Sequence, residues 1–119
     1  MEKTRSHKDL DIWKVSVELV RDIYQSTLKF PDSEKFGLSL QMRRAAVSIP
    51  SNIAEGAGRH YIKEYIQFLY ISSGSLSELE TQLEIAFQLN YIKSIEELNV
   101  KIIRIRQMMT KLIKSLKES

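Results

Sequence analysis

The side chains best suited to acid-base or metal chemistry are few and scattered. The chain has only two histidines, His7 near its start and His60 after a glycine-containing break. Helical bundles often hold metals through Glu-x-x-His motifs, and no such motif occurs here. Glu80 and Glu84 would share a helix face, but no histidine or cysteine accompanies them to complete a ligand set. We therefore predict no metal site.

Nucleophilic catalysis and phosphate binding by a glycine-rich loop are equally unsupported. No serine lies in a Gly-x-Ser-x-Gly turn, and Gly56-Ala57-Gly58 lacks the following Gly-Lys-Ser/Thr of a phosphate-binding loop. We interpret this segment as a helix end with a left-handed glycine cap, and His60 as a solvated loop residue. The sequence thus predicts no enzyme, no cofactor and no small-molecule substrate.

Basic residues are concentrated near the end of the chain. On a projection at about 100° per residue, Arg104, Lys111 and Lys114 fall on the side away from the apolar residues, and Lys101 flanks those residues. Two interpretations stay open: a solvated face whose bases offset the helix dipole, or a surface that binds nucleic-acid phosphates. No aromatic residues are interleaved with these bases, which is evidence against base stacking.

Some apolar residues project away from the predicted core. Val100 and Ile103 do so in the last helix, and Ile113, Val17 and Val20 widen the apolar surface further. One explanation is self-association, since exposed apolar patches mark interaction sites. The other is a core stripe wider than a strict heptad seam.

Four helices must position these residues. The predicted breaks at Pro31, Gly56 to Gly58 and Asn90 leave helical segments over about residues 9–28, 34–56, 62–89 and 94–116. Asp9 or Asp11 is the expected N-cap of the first helix, and Pro50 should bend or interrupt the second. This organisation predicts an all-α fold.

The spacing of apolar residues indicates how the helices pack. In the fourth helix the intervals alternate between three and four, from Ile95 through Ile105 to Leu116, which is a heptad seam. With short connections, this favours an antiparallel up-down-up-down four-helix bundle. Folding helices two and three together brings the small residues 45–48 and 72–75 into contact, so Gly74 is expected to pack against the second helix.

Length and composition set the class of protein. We expect one domain over residues 1–119, with a flexible N-terminus at 1–8. Cysteine is absent and the formal charge is +3, which permits a polyanionic partner without requiring one. The polar N-terminus and the lack of about 18 consecutive apolar residues predict a cytoplasmic protein without a membrane span.

The second helix carries a recognisable motif. It contains Phe36-Gly37-Leu38 and Gln41-Met42-Arg43-Arg44-Ala45-Ala46-Val47-Ser48-Ile49-Pro50-Ser51-Asn52-Ile53-Ala54-Glu55-Gly56, followed by Arg59 and, downstream, by Gly74-Ser75-Leu76-Ser77-Glu78-Leu79-Glu80-Thr81-Gln82-Leu83. With these motifs the chain closely resembles the 23S rRNA-intervening sequence proteins, also called the four-helix-bundle protein family. The resemblance extends from Leu10 to Leu116.

This resemblance implies a bacterial protein that forms homopentamers of four-helix bundles. Family members are encoded within insertions in large-subunit ribosomal RNA genes or as free-standing genes. The family also resembles the accessory protein of diversity-generating retroelements, a pentameric bundle that binds nucleic acid through a basic surface. The resemblance therefore implies an RNA-associated oligomer and no enzymatic activity. The alternative is a protein–protein scaffold with no nucleic-acid role.

The arginines of the motif have two interpretations. All three of Arg43, Arg44 and Arg59 can contact phosphates as charged donors. In the favoured interpretation, Arg43 and Arg59 are exposed and available to phosphates, whereas Arg44 pairs with Glu55. Asn52 has donors that can help to satisfy a carbonyl left free by Pro50.

Overall fold

Four α-helices build the part of the chain that the computed structural model describes, residues 6–119. They are α1 (Asp11–Thr27), α2 (Leu38–Ala57), α3 (Ile62–Gln88) and α4 (Glu96–Lys117). Short 3-10 turns at His7–Asp9 and Asp32–Glu34 precede α1 and α2. Helix α1 packs on α2 and α4, and α3 packs on the same two helices, so the contacts are those of a helical bundle. No strand occurs within residues 6–119.

The start of α1 differs from the sequence prediction. Residues 1–5 of the predicted flexible segment lie outside the described residues, and Ser6 caps the first 3-10 turn by accepting a hydrogen bond from the Lys8 amide. Leu10 holds the N-cap position of α1 without a side-chain hydrogen bond, so Asp9 and Asp11 were wrongly predicted as caps. Leu10 packs against the core instead, so an apolar contact fixes the position of the residue that precedes α1.

The core contains most of the residues predicted to point inward. In α4, however, the buried stripe does not follow the heptad seam to its end. Ile102, Ile105 and Met109 are buried, after which Ile113 is buried while Leu116 is only half-buried. A straight α-helix drifts relative to a strict heptad repeat, so the inward face moves to the next residue. Leu28 is 75% exposed because α1 ends one residue before it.

The small residues of α2 and α3 meet as predicted. The Ser72 hydroxyl donates to the Ile49 carbonyl at 2.9 Å, and the Ser75 hydroxyl donates to the Ser48 hydroxyl at 2.8 Å. The prediction for Gly74 is wrong, because this glycine faces outward and an added Cβ would meet nothing within 4 Å.

The glycine that permits close approach of α2 and α3 is Gly56. A Cβ at this position would lie 2.8 Å from the Cβ of Phe68 and 3.1 Å from the Tyr65 carbonyl oxygen. Such separations are shorter than van der Waals contact, so only glycine allows α3 to lie where it does. Gly56 is buried.

The left-handed helix cap occurs at a different break from the one expected. Gly58 has φ −87° and its amide donates to the Ala54 carbonyl, so the predicted left-handed glycine cap of α2 is wrong. Asn90 adopts φ 64° after α3. The Tyr91 amide donates to the Ala86 carbonyl at 2.9 Å and the Asn90 amide to the Phe87 carbonyl at 3.0 Å, which together form a Schellman motif.

Pro50 does not interrupt α2, which continues through it to Ala57. The Asn52 side-chain amide donates to the carbonyl and to the hydroxyl oxygen of Ser48, at 2.8 and 2.9 Å. The expectation that Asn52 satisfies the carbonyl freed by Pro50 is therefore wrong, since that carbonyl belongs to Ala46. Asn52 reinforces the neighbouring turn instead.

Glu34 joins the two loops at one end of the bundle. Its Oε1 accepts from the Leu38 amide at 3.0 Å and its Oε2 accepts from the Tyr91 hydroxyl at 2.9 Å. The hydrogen bond from Leu38, followed by that from Tyr91, lowers the pKa of Glu34, and the same carboxylate raises the pKa of Tyr91. Gly37 leaves room for this carboxylate, because a Cβ there would lie 2.7 Å from Oε1.

Candidate functional site

Three of the predicted nucleic-acid contacts form an exposed basic patch on α4. The side chains of Arg104, Lys111 and Lys114 are exposed, on the side of the helix away from buried Ile102 and Ile105. Within residues 6–119, none of the three forms an ion pair with a carboxylate. Their charge is therefore directed to solvent, and we call these three residues the basic patch.

Lys101 has a different environment from the basic patch. Its Nζ lies 2.5 Å from Asp22 Oδ2 and 3.7 Å from Glu18 Oε1, so this lysine links α4 to α1. Arg106 makes the corresponding link to α3, where it lies 2.9 Å from Glu80 Oε1. These pairs neutralise bases at both edges of α4 and leave the outer side of the helix positive.

The arginines of the α2 motif exchange the roles expected for them. Arg43 Nε donates to the Thr27 hydroxyl at 2.8 Å, its Nη2 donates to the Tyr24 carbonyl at 3.3 Å, and its guanidinium lies 4.5 Å from the Tyr24 ring centroid. Arg43 therefore links α2 to α1 and is half-buried, so the expectation that it is exposed is wrong. Sequence spacing does not reveal this role, because the partners lie on another helix.

Arg59, rather than Arg44, is the partner of Glu55. Its Nη2 lies 2.8 Å from Glu55 Oε2, and its guanidinium lies 4.8 Å from the Phe68 ring centroid. Arg44 is exposed and makes no hydrogen bond or ion pair with the described part of the chain. The predicted pairing of Arg44 with Glu55 is wrong, because eleven residues separate them on one helix whereas Arg59 is four residues from Glu55.

The apolar residues flagged in the sequence divide into two groups. Ile113 is buried and Val20 packs against the core, as expected for a wide core stripe. Val100 and Ile103 remain 64% and 51% exposed on the outer side of α4. These two side chains therefore form an exposed apolar patch next to Arg104.

Tyr70 is a residue near this site that the sequence of α4 does not predict. It projects from α3, and the Nζ of Lys117 lies 5.5 Å from its ring centroid. No local sequence signal marks Tyr70, because its position beside α4 depends on how α3 and α4 pack together.

The histidines and carboxylates stay apart. His60 is exposed, as predicted, and packs edge-on against Tyr61, whereas His7 lies edge-on to Trp13. Across residues 6–119 there is no group of three or more His, Asp or Glu side chains placed to hold a metal ion. Of the helices described, none is both long enough and apolar enough to cross a membrane.

Comparison with known proteins places this geometry in a family. A family model described as 23S rRNA-intervening sequence protein matches residues 8–111. A crystal structure of a protein of unknown function from the S23 ribosomal protein family of Bacteroides thetaiotaomicron superposes with a TM-score of 0.77 at 25% identity, covering 87% of this chain and 98% of that chain. No curated protein matches the chain significantly. The resemblance seen in the sequence is thus confirmed, and the chain belongs to the 23S rRNA-intervening sequence protein family.

Proposed function

We propose that this protein is a non-catalytic, cytoplasmic binding protein that self-associates and binds RNA or other nucleic acid through the basic patch on α4. The observation that carries the proposal is the exposure of Arg104, Lys111 and Lys114 on one side of one helix, with no carboxylate partner among residues 6–119. Clustered bases of this kind can neutralise backbone phosphates and release their counterions.

We assign the binding to the basic patch because the other predicted contacts are already engaged. The side chains of Arg43, Arg59 and Lys101 have partners within the bundle at 2.5 to 2.8 Å. A phosphate would have to compete with those partners, whereas the basic patch only exchanges water and counterions. Such a patch supports contacts to the phosphate backbone of the nucleic acid, which do not depend on base sequence.

The arrangement of the helices in this proposal is antiparallel up-down-up-down. Its support is the order of contacts: Ser48 of α2 meets Ser75, whereas Ile49 meets the earlier residue Ser72. Between α3 and α4, Arg106 meets Ser77 whereas Lys117 meets the earlier residue Tyr70. Moving forward along one helix of each pair moves backward along the other, as in antiparallel neighbours.

The proposal is tested by measuring RNA binding at rising salt concentrations. We expect log affinity to fall linearly with log salt, with a slope of roughly 0.7 to 0.9 per phosphate neutralised. Combined Arg104→Glu, Lys111→Glu and Lys114→Glu should abolish binding and leave the helical circular dichroism spectrum unchanged. Fluorescence anisotropy with a labelled RNA measures both effects.

A matched control keeps the total charge change equal. Lys14→Glu, Arg21→Glu and Lys63→Glu reverse three exposed bases on α1 and α3. This control should weaken binding much less than reversal of the basic patch. Equal losses for the two triple variants would show that net charge alone drives binding, and an absence of nucleic-acid binding at low salt would refute the proposal.

The exposed pair Val100 and Ile103 favours a second candidate, a protein scaffold without a nucleic-acid role. In that case the basic patch only keeps the protein soluble. A protein partner that stays bound after nuclease treatment and in high salt would support the scaffold. Loss of that partner on nuclease treatment would support the nucleic-acid proposal.

A further inference from the structure

An open groove of about 500 Å³ runs between α3 and α4 beside the basic patch. Met109 and Ile113 form its apolar floor, and both are almost fully buried. Tyr70 borders it from α3, while Lys114 and Lys117 border it from α4. The groove therefore combines an aromatic ring, an apolar floor and two ammonium groups.

Tyr70 is placed to offer its ring to a ligand. The residue is 50% exposed, so part of the aromatic surface faces solvent in the isolated chain. The Nζ of Lys117 lies 5.5 Å from the ring centroid, which is within cation–π distance. Lys117 is itself exposed at the end of a long side chain, so its ammonium can turn from the ring to a phosphate.

We propose that this groove holds an unpaired nucleobase of single-stranded nucleic acid, stacked on Tyr70 and flanked by phosphates on Lys114 and Lys117. The proposal rests on the nucleic-acid binding proposed above and names its site and ligand class. Any base presents a π-face to an aromatic side chain, so this contact adds affinity without demanding one sequence. A duplex keeps its bases stacked on each other and cannot offer one to the groove.

The charges around the groove favour a negatively charged ligand, such as a nucleic acid, over a neutral peptide. Glu118 also borders the groove and would repel the phosphate of a nucleotide placed beside it. Lys114 and Lys117 outnumber it, and Lys111 of the basic patch continues the positive surface one turn earlier on α4. The sugar–phosphate chain can therefore follow these lysines along α4, while only the nucleobase enters between the helices.

The test compares single-stranded and duplex RNA of one sequence, each labelled with fluorescein, by anisotropy at fixed low salt. Tyr70→Ala should weaken binding of the single strand about tenfold, within the range known for loss of one base–aromatic stack. Its effect on the duplex should be negligible. Tyr70→Phe keeps the ring and should bind the single strand like the unmodified protein.

Tyr61→Ala is the matched control, because Tyr61 is 63% exposed just before α3 and does not border the groove. It should leave both affinities unchanged. Photocrosslinking with a bromouridine-substituted single strand, followed by mass spectrometry, should label Tyr70 or its neighbours in the groove.

Two results would overturn this inference and leave the proposed function intact. The first is a Tyr70→Ala variant that binds the single strand normally while reversal of the basic patch still abolishes binding. The second is an equal loss for single strand and duplex, which would mean that Tyr70 supports the structure of the patch rather than a base. Failure of the unmodified protein to bind either RNA would overturn both the inference and the proposed function.

Discussion

Gly56 and Gly74 both lie inside helices, yet an added methyl group would meet different surroundings at each. At Gly56 the new carbon would lie 2.8 Å from the Phe68 Cβ, whereas at Gly74 it would lie in open space. Gly56→Ala should therefore lower the free energy of unfolding by about 1 to 3 kcal/mol through overpacking. Gly74→Ala should raise it by about 0.5 to 1 kcal/mol, since alanine loses less backbone entropy in a helix.

Urea unfolding followed by circular dichroism measures both changes in one experiment, and each variant serves as the control for the other. A destabilised Gly74→Ala would mean that the outer side of α3 is covered in solution. An unaffected Gly56→Ala would mean that α3 can move away from α2 at little cost.

Single-residue roles were the least predictable feature of the candidate site. Exposure of Arg104, Lys111 and Lys114 follows from helix geometry alone, and the structure agrees with it. The partners of Arg43, Arg59 and Lys101 depend on which helices are neighbours and in what register, which a projection of one helix does not contain. Tyr70 was missed for the same reason, because its groove exists only between two helices.

At the scale of elements, the Glu34 carboxylate holds the start of α2 and the loop after α3 together. Its pKa is lowered from the ordinary value of 4.5 by the Leu38 amide and the Tyr91 hydroxyl. The stabilisation is therefore complete above about pH 4.5 and is lost as the pH falls through the lower value in the folded protein. Unfolding free energy should fall in acid, and Glu34→Gln should remove this part of the fall.

Ionisation of Tyr91 removes the stabilisation from the same contact at alkaline pH. Its pKa is raised above the ordinary value of 10.0, mainly by its hydrogen bond to Glu34, so the neutral phenol stabilises the fold below that pH. This stabilisation disappears as the pH rises through the raised value. Tyr91→Phe should remove this part of the alkaline loss, as measured by urea midpoints from pH 3 to 11, and an unchanged alkaline limb would contradict the role of this contact.

The number, order and approximate bounds of the helices could be predicted, because they depend on local features of the sequence: the spacing of apolar residues and the positions of the few Gly and Pro residues. Helix α3 begins at Ile62 as predicted, and the break at Asn90 is a left-handed cap. The predicted start of α2 was about residue 34, whereas the helix begins at Leu38. Glu34 lies before the helix and its side chain accepts a hydrogen bond from the Leu38 amide. Such a contact depends on the loop and on Tyr91, so local sequence rules place it poorly.

At the scale of the whole molecule, the outer side of α4 is divided along its length. Val100 and Ile103 lie in its first half, whereas Lys111 and Lys114 lie in its second half. Arg104 lies at the boundary. Apolar contact between copies and phosphate contact with nucleic acid can therefore use the same helix without burying the same residues.

This division predicts that assembly and nucleic-acid binding can be separated by mutation. Val100→Ser with Ile103→Ser should lower the mass measured by light scattering, because losing apolar burial costs at least about 2 kcal/mol per interface, or roughly a thirtyfold weaker contact. Leu28→Ser with Phe36→Ser removes two apolar side chains that are even more exposed, at the end of the bundle, and should leave the mass unchanged. Reversal of the basic patch at Lys111 and Lys114 should abolish RNA binding without altering the mass. A monomeric unmodified protein would refute self-association, whereas a fall in mass after reversal of the lysines would show that the two halves of α4 form one surface.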